Sequence, residues 1–164
     1  LTGYVREASM STLALRGGAV TFNGDPFALP AGAALRHESD ALVVIRDGRI
    51  VDFGAATALL PGLPGDVQVT RYDNALLLPG FIDAHVHFAQ LPIIAAYGRS
   101  LLEWLEHYTF VIEQRFADPA FAAATAEVFL DECLRQGITT AAVYGTVHPQ
   151  SVDAFFAAAL RRPT

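Results

Sequence analysis

Two histidines one residue apart, His85 and His87, close the stretch PGFIDAHVH at residues 79–87. Along a strand, residues two apart share a face. Two imidazoles on one face at a strand's carboxyl end can bind one metal ion, and imidazole suits zinc or iron. Asp83 precedes the pair by two and four residues. It is expected on the same side, where it would orient the site or bind the ion less directly. A bare pair at this spacing is more often two side chains in a polar loop. The Pro79-Gly80 prefix, the apolar strand and the β/α pattern that follows favour the metal site.

The elements that must position this pair differ in grammar on its two sides. Residues 12 to about 78 read as β. Leu13 and Leu15 alternate with polar or small neighbours, Gly17-Gly18 is expected to break the run, and Asn23-Gly24 signals a turn. The clearest hairpin is ALVVIRDGRIVDFG, in which Asp47-Gly48 suits a two-residue type I′ turn. Val43 to Ile45 should then pair with Ile50 to Phe53. Residues 57–66 read as a Pro/Gly-rich loop, and Val67 to Tyr72 alternates again.

After Pro79 the pattern becomes β/α. Phe81 to Val86 is a short apolar strand. Ser100 to Phe110 reads as a helix with Leu101, Leu105 and Tyr108 on one face. Asp118 can cap the next helix, Pro119 suits its first turn and Gly137 its end. Ala122, Ala126, Phe129, Leu130, Cys133 and Leu134 form its apolar stripe. Ile138 to Tyr144 reads as a strand buried on both faces, and Ser151 is expected to cap a last helix over Val152–Arg162. This is about two β/α units. A complete (β/α)₈ barrel takes about 250 residues and carries its active site at the carboxyl ends of its strands.

Bulk properties narrow the function classes. The chain has 164 residues, 52% hydrophobic and 17% charged, a globular composition. A net charge of −6 argues against nucleic acid as a partner. All eleven basic residues are arginine, so this segment holds no lysine chemistry. The single cysteine, Cys133, allows no intrachain disulfide and fits a reducing cytoplasm. No apolar run reaches the roughly 20 residues of a membrane span. LTGYVREASM reads as irregular, with Met10 the expected start and residues 1–9 a leader.

PGFIDAHVH resembles the first-strand signature of the amidohydrolase superfamily. HVHFAQ (85–90), AYGRSLLEWLEHYTF (96–110), Glu113, Arg115, Phe116 and Asp118, GITTA (137–141) and GTVHPQS (145–151) together are similar to the guanine deaminase family within it. The similarity runs from about residue 75 to 160, and the LLEWL block is far more specific than the histidine pair. The fold this implies is α/β. Residues 10–78 would be part of a small β-sandwich, and residues 79–164 the first two or so β/α units of an incomplete metal-dependent (β/α)₈ barrel. The implied reaction is hydrolytic deamination of guanine to xanthine and ammonia. One divalent ion, normally zinc, would make hydroxide available near neutral pH to attack the ring carbon bearing the amino group. His85 and His87 match the first two metal ligands. Gln90 matches a position whose amide contacts the purine. Homodimers are common in the family.

The resemblance also implies later histidines, a glutamate proton shuttle and an aspartate that these 164 residues do not match. The segment alone is therefore expected to be inactive, with no catalytic residue of its own. Two rival readings are a sister aminohydrolase acting on another purine, pyrimidine or triazine, and a non-catalytic truncated product or partner-dependent subunit. Three further residues carry weaker expectations. His148 would line the pocket or support the metal, or be a loop histidine bonded to backbone. Trp104 would wall a purine pocket, though a tryptophan at helical spacing is more often core or interface. Cys133 is expected as a small buried hydrophobe, and His37, in a charged loop (RHESD), and His107, on a polar helical stretch, as solvated.

Overall fold

The computed structural model describes residues 12–30 and 32–162. The expected leader over residues 1–9, and Met10, lie outside the described residues. The chain divides into two compact units, one ending at Pro79 and one beginning at Gly80.

The first unit is a four-stranded mixed sheet. It contains β1 (Thr12–Phe22), β2 (Leu35–Arg46), β3 (Arg49–Ala55) and β4 (Gln68–Leu77), in the order β3-β2-β1-β4. Only the β1–β4 pairing is parallel. The hairpin turn falls where Asp47-Gly48 places it. Both residues have positive φ, 51° and 75°, as a type I′ turn requires. Val43 pairs with Phe53 and Ile45 with Ile50 across it, around a bulge between Val44 and Ile45.

Three expectations are corrected in this unit. Gly17-Gly18 does not end the first strand. β1 runs through the pair, and the register to both neighbours shifts there. A Cβ on Gly17 would sit 2.7 Å from the Tyr72 carbonyl oxygen, so the glycine permits a close backbone approach inside a continuous strand. His37 is exposed, as expected, but it stands on β2 opposite Val20 and not in a loop. The 57–66 segment is wound into α1 (Ala56–Leu59) and a 3₁₀ turn over Leu60–Gly62. Its leucines explain the winding: Leu59, Leu60 and Leu63 pack with Val67 and Val69 over Ala14, Leu42, Val44 and Ala56. That core lies on the Ala14 face of β1, and Leu13 on the other face is exposed.

The second unit places two parallel strands, β5 (Phe81–His87) and β6 (Ile138–Tyr144), beside helices. A 3₁₀ segment, Phe88–Ile93, leaves β5 directly. The expected helix after Ser100 is longer than its leucine pattern indicates. It runs through α2 (Leu101–Trp104), a π turn (Leu105–Thr109), α3 (Phe110–Gln114) and a 3₁₀ turn (Arg115–Ala117). Ser100 Oγ accepts from Glu103 N at 3.2 Å, and the Glu103 carboxylate accepts from Arg99 N at 3.1 Å, closing its start. The π turn rotates the buried face. Thr109 and Phe116 are buried, whereas Leu101 and Tyr108 are exposed.

Helix α4 (Pro119–Arg135) follows as expected, with Asp118 Oδ1 accepting from Ala120 N at 2.9 Å and Gly137 at φ 77° just beyond its end. Ala122, Ala126 and Phe129 of its stripe are buried with Phe88, Ala89, Phe116 and Ala158. Leu134 is exposed and Cys133 only half-buried, because they belong to the last turn, at the margin of that cluster. The last helix, α5 (Pro149–Ala159), starts earlier than expected, with His148 at its N-cap and Pro149 in its first turn. Ser151 lies inside it, fully buried, and its hydroxyl donates to the His148 carbonyl at 2.8 Å. β6 is not covered on both faces: Thr140, Ala142 and Tyr144 alternate outward and are exposed. No described helix is long and apolar enough to cross a membrane.

Candidate metal centre

The two histidines of the opening motif converge. His85 Nε2 and His87 Nε2 lie 3.2 Å apart at the carboxyl end of β5. Two imidazole nitrogens each about 2.0–2.1 Å from one tetrahedral zinc ion would stand about 3.3 Å apart. The pair therefore has the bite of two ligands to a single ion. Its chemistry also fits, since neutral imidazole is a ready nitrogen donor to divalent transition metals.

Strict strand alternation does not carry from Asp83 to the two histidines. The β5–β6 register shifts twice, first between Phe81 and Ile82 and again between Asp83 and Val86. The second shift is a bulge at Ala84-His85. Without it, continuing from Asp83 opposite Ala141, His87 would face Gly145; with it, His87 faces Tyr144. Asp83 Oδ1 accepts from the His85 backbone N–H at 3.1 Å, which turns that carboxylate onto the bulged backbone. The expected simple sharing of one face by Asp83 and the histidines is interrupted at this point.

Gln90 is carried to the same place by the 3₁₀ segment after His87. Phe88 and Ala89 are fully buried and anchor that segment. Phe88 meets Phe116 edge-on at 5.3 Å and Phe155 at 4.9 Å. The result is a cavity of about 310 Å³ lined by His85, His87 and Gln90 together with Leu91, Ile94 and Phe129. Two nitrogen donors, an amide and an apolar wall thus share one opening.

Trp104 and His148 do not line that cavity. Trp104 Nε1 donates to the Ala96 carbonyl at 3.1 Å, and its Cβ crowds Gly98, so it pins the 96–100 loop to α2. His148 caps α5 through its backbone. Its N–H donates to Thr146 Oγ1 at 3.2 Å, and its carbonyl accepts from Ser151. Cys133 faces a separate groove, where burial, and secondly the charge of Asp83, push its thiol pKa up. His107 is exposed. Among the described residues, no group of three or more His, Cys, Asp or Glu is placed to hold a metal ion, so the pair is two donors and not a closed shell.

One residue of the site escaped the sequence reading. Tyr144 ends β6, and its ring stacks on His87 at 4.7 Å and 11° and meets His85 at 4.6 Å, tilted by 36°. The only signal for it was an aromatic residue at the end of the next parallel strand.

The Amidohydrolase family profile matches residues 76–163, which include both histidines, Gln90 and Tyr144. The chain is 43% identical to guanine deaminase of Escherichia coli (strain K12) over 127 residues, 77% of this chain and 29% of the relative. Among solved structures it superposes on E. coli guanine deaminase with a TM-score of 0.84 and 39% identity, covering 91% of this chain and 35% of that one. It superposes on guanine deaminase from Bradyrhizobium japonicum with a TM-score of 0.85 and 33% identity, covering 93% and 33%. The chain thus spans about a third of the length of the relatives it matches. Its mixed α/β fold matches the amino-terminal part of those structures, and the chain belongs to the amidohydrolase family.

Proposed function

We propose that the protein hydrolyses guanine to xanthine and ammonia, with His85 and His87 holding a divalent ion, zinc, and Gln90 contacting the purine. The observation that carries this reading is the convergence of the two Nε2 atoms at 3.2 Å beside Gln90, in a chain 43% identical to a guanine deaminase. In this reading residues 10–78 form part of a β-sandwich, and residues 79–164 open a (β/α)₈ barrel whose carboxyl-end face carries the site.

Each residue has a limited task. His85 and His87 present imidazole nitrogens and leave the remaining coordination to other groups. An ion held there supplies the Lewis acidity that makes hydroxide available near neutral pH. Gln90 offers both an N–H donor and a carbonyl acceptor, so it can pair with a purine edge that alternates acceptor and donor. Leu91, Ile94 and Phe129 supply apolar wall and exclude water from one side of the opening. The chemistry forms a bond from the purine C2 to a water oxygen and breaks the bond to its amino nitrogen, releasing ammonia. Among the residues lining the opening, His85, His87 and Gln90 supply binding groups for that reaction.

The test uses protein expressed from the full reading frame and loaded with zinc. Xanthine and ammonia should form from guanine, with adenine, cytosine and triazines turned over far more slowly. Turnover of one of those and not of guanine would point to a sister aminohydrolase and sink the guanine reading. Residues 1–164 expressed alone should be inactive.

A further inference from the structure

Tyr144 has a position that core packing does not explain. It is about half exposed, at 52%, yet its ring lies against both imidazoles of the candidate site at 4.6 and 4.7 Å. The two imidazoles are tilted to each other by 45° with centroids 5.3 Å apart, so they do not stack well on one another. Each instead contacts the same third ring. Tyr144 is thus the surface against which both are oriented, and the near-parallel contact with His87 restricts rotation about that side chain's terminal torsion, which is otherwise broad.

The strand register brings the two residues level. The shift between Phe81 and Ile82 and the bulge after Asp83 cancel, so His87 stands opposite Tyr144 in the same register that sets Phe81 opposite Ile138. Both residues then stand at the strand ends, where the 3₁₀ segment and the turn into α5 diverge.

We propose that Tyr144 is a positioning residue for the metal site: its ring, shared by His85 and His87, holds their Nε2 atoms converged on one point. It touches neither ion nor substrate in this role. The phenol hydroxyl is dispensable, and the ring is what matters. The inference rests on the reading of the histidine pair as metal ligands. Groups that orient metal-bound histidines commonly change metal affinity by about 10–100-fold when removed.

The experiment measures zinc affinity by competition with a chromophoric chelator, on zinc-free protein from the full reading frame. Tyr144→Phe should bind zinc within about threefold of wild type. Tyr144→Ala should bind about 10–100-fold more weakly. Tyr144→Leu, which keeps apolar bulk without a stacking face, should behave like the alanine variant and guards against a simple folding defect. Thermal midpoints of the zinc-free proteins should stay close together, because the loss is one of ligand orientation. Equal zinc affinity in the leucine variant and wild type would overturn the role of Tyr144 alone. Absence of zinc binding by wild type would overturn the metal reading and this inference with it.

Discussion

A Cβ placed on Gly80 would lie 1.9 Å from Oγ1 of Thr139, and 2.7 Å from its Cβ. The start of β5 is therefore pressed against the start of β6 more closely than any side chain allows. Phe81 N–H donates to the Gly137 carbonyl at 2.8 Å just beyond this contact. Gly80→Ala should push the strands apart and cost about 1–3 kcal/mol, the usual range for overpacking. A second change, Thr139→Gly, removes the atoms in the way and should recover much of that loss. Urea denaturation of the single and double variants measures both. Additive destabilisation by the two changes would contradict the steric account.

Asp83 is expected to act through the bulge. Its carboxylate accepts from the His85 N–H, so Asp83→Asn keeps an acceptor in place and Asp83→Ala removes it. The alanine variant should weaken zinc binding by about tenfold, as loss of an outer partner does, and the asparagine variant much less. Amide exchange at His85 gives a separate readout, since that N–H should exchange faster in the alanine variant only. Equal exchange in both variants would remove Asp83 from the positioning chain.

The part of this site legible in the sequence is the part that depends on short-range order. His85, His87 and Gln90 lie within six residues, and a strand followed at once by a tight turn brings them together whatever else the fold does. The Asp47-Gly48 turn and the Asp118-Pro119 helix start were legible for the same reason. Tyr144 was not, because its contact depends on which strand pairs with β5 and in what register, and alternation along one strand carries no record of its neighbour. Ser151 was misplaced by one turn, since both it and His148 can begin a helix and Pro149 decides in favour of the earlier start. The π turn at Leu105–Thr109 leaves no mark in a 3.6-residue pattern, so the face read through Leu101, Leu105 and Tyr108 is not the one that buries Thr109 and Phe116.

Phe88 links the core to the site. It is buried to 1% exposure among Phe116, Phe129 and Phe155, and it immediately follows His87. Phe88→Ala should cost about 3–5 kcal/mol. Because the cavity left behind frees the 3₁₀ segment, it should also displace Gln90. Phe88→Leu retains most of the volume and should cost less. If Gln90 contacts guanine, KM for guanine should rise in the leucine variant with little change in zinc content. An unchanged KM would separate the aromatic core from substrate positioning.

The first unit should lose stability in acid through Asp40. Arg16 Nε and Nη2 donate to its two carboxylate oxygens at 2.8 and 2.7 Å across β1 and β2. The Arg16 hydrogen bonds hold the Asp40 pKa below the ordinary 3.8; desolvation opposes them, and the charges of Arg16 and Arg71 add to the lowering. A carboxylate whose pKa is lower in the folded state than in the unfolded one stabilises the fold above the unfolded value. It loses that contribution as pH falls through the folded value. Arg16 stays charged throughout and adds no slope in this window. Asp40→Asn should therefore lower stability modestly at pH 7, since an exposed pair is screened by solvent. The gap between variant and wild type should close as pH drops below 3.8, and should also shrink in high salt. Amide exchange across β1 and β2 between pH 5 and pH 2.5 measures this gap within the unit. A gap that persists unchanged at the acid end would show that Asp40 acts through packing and not through its charge.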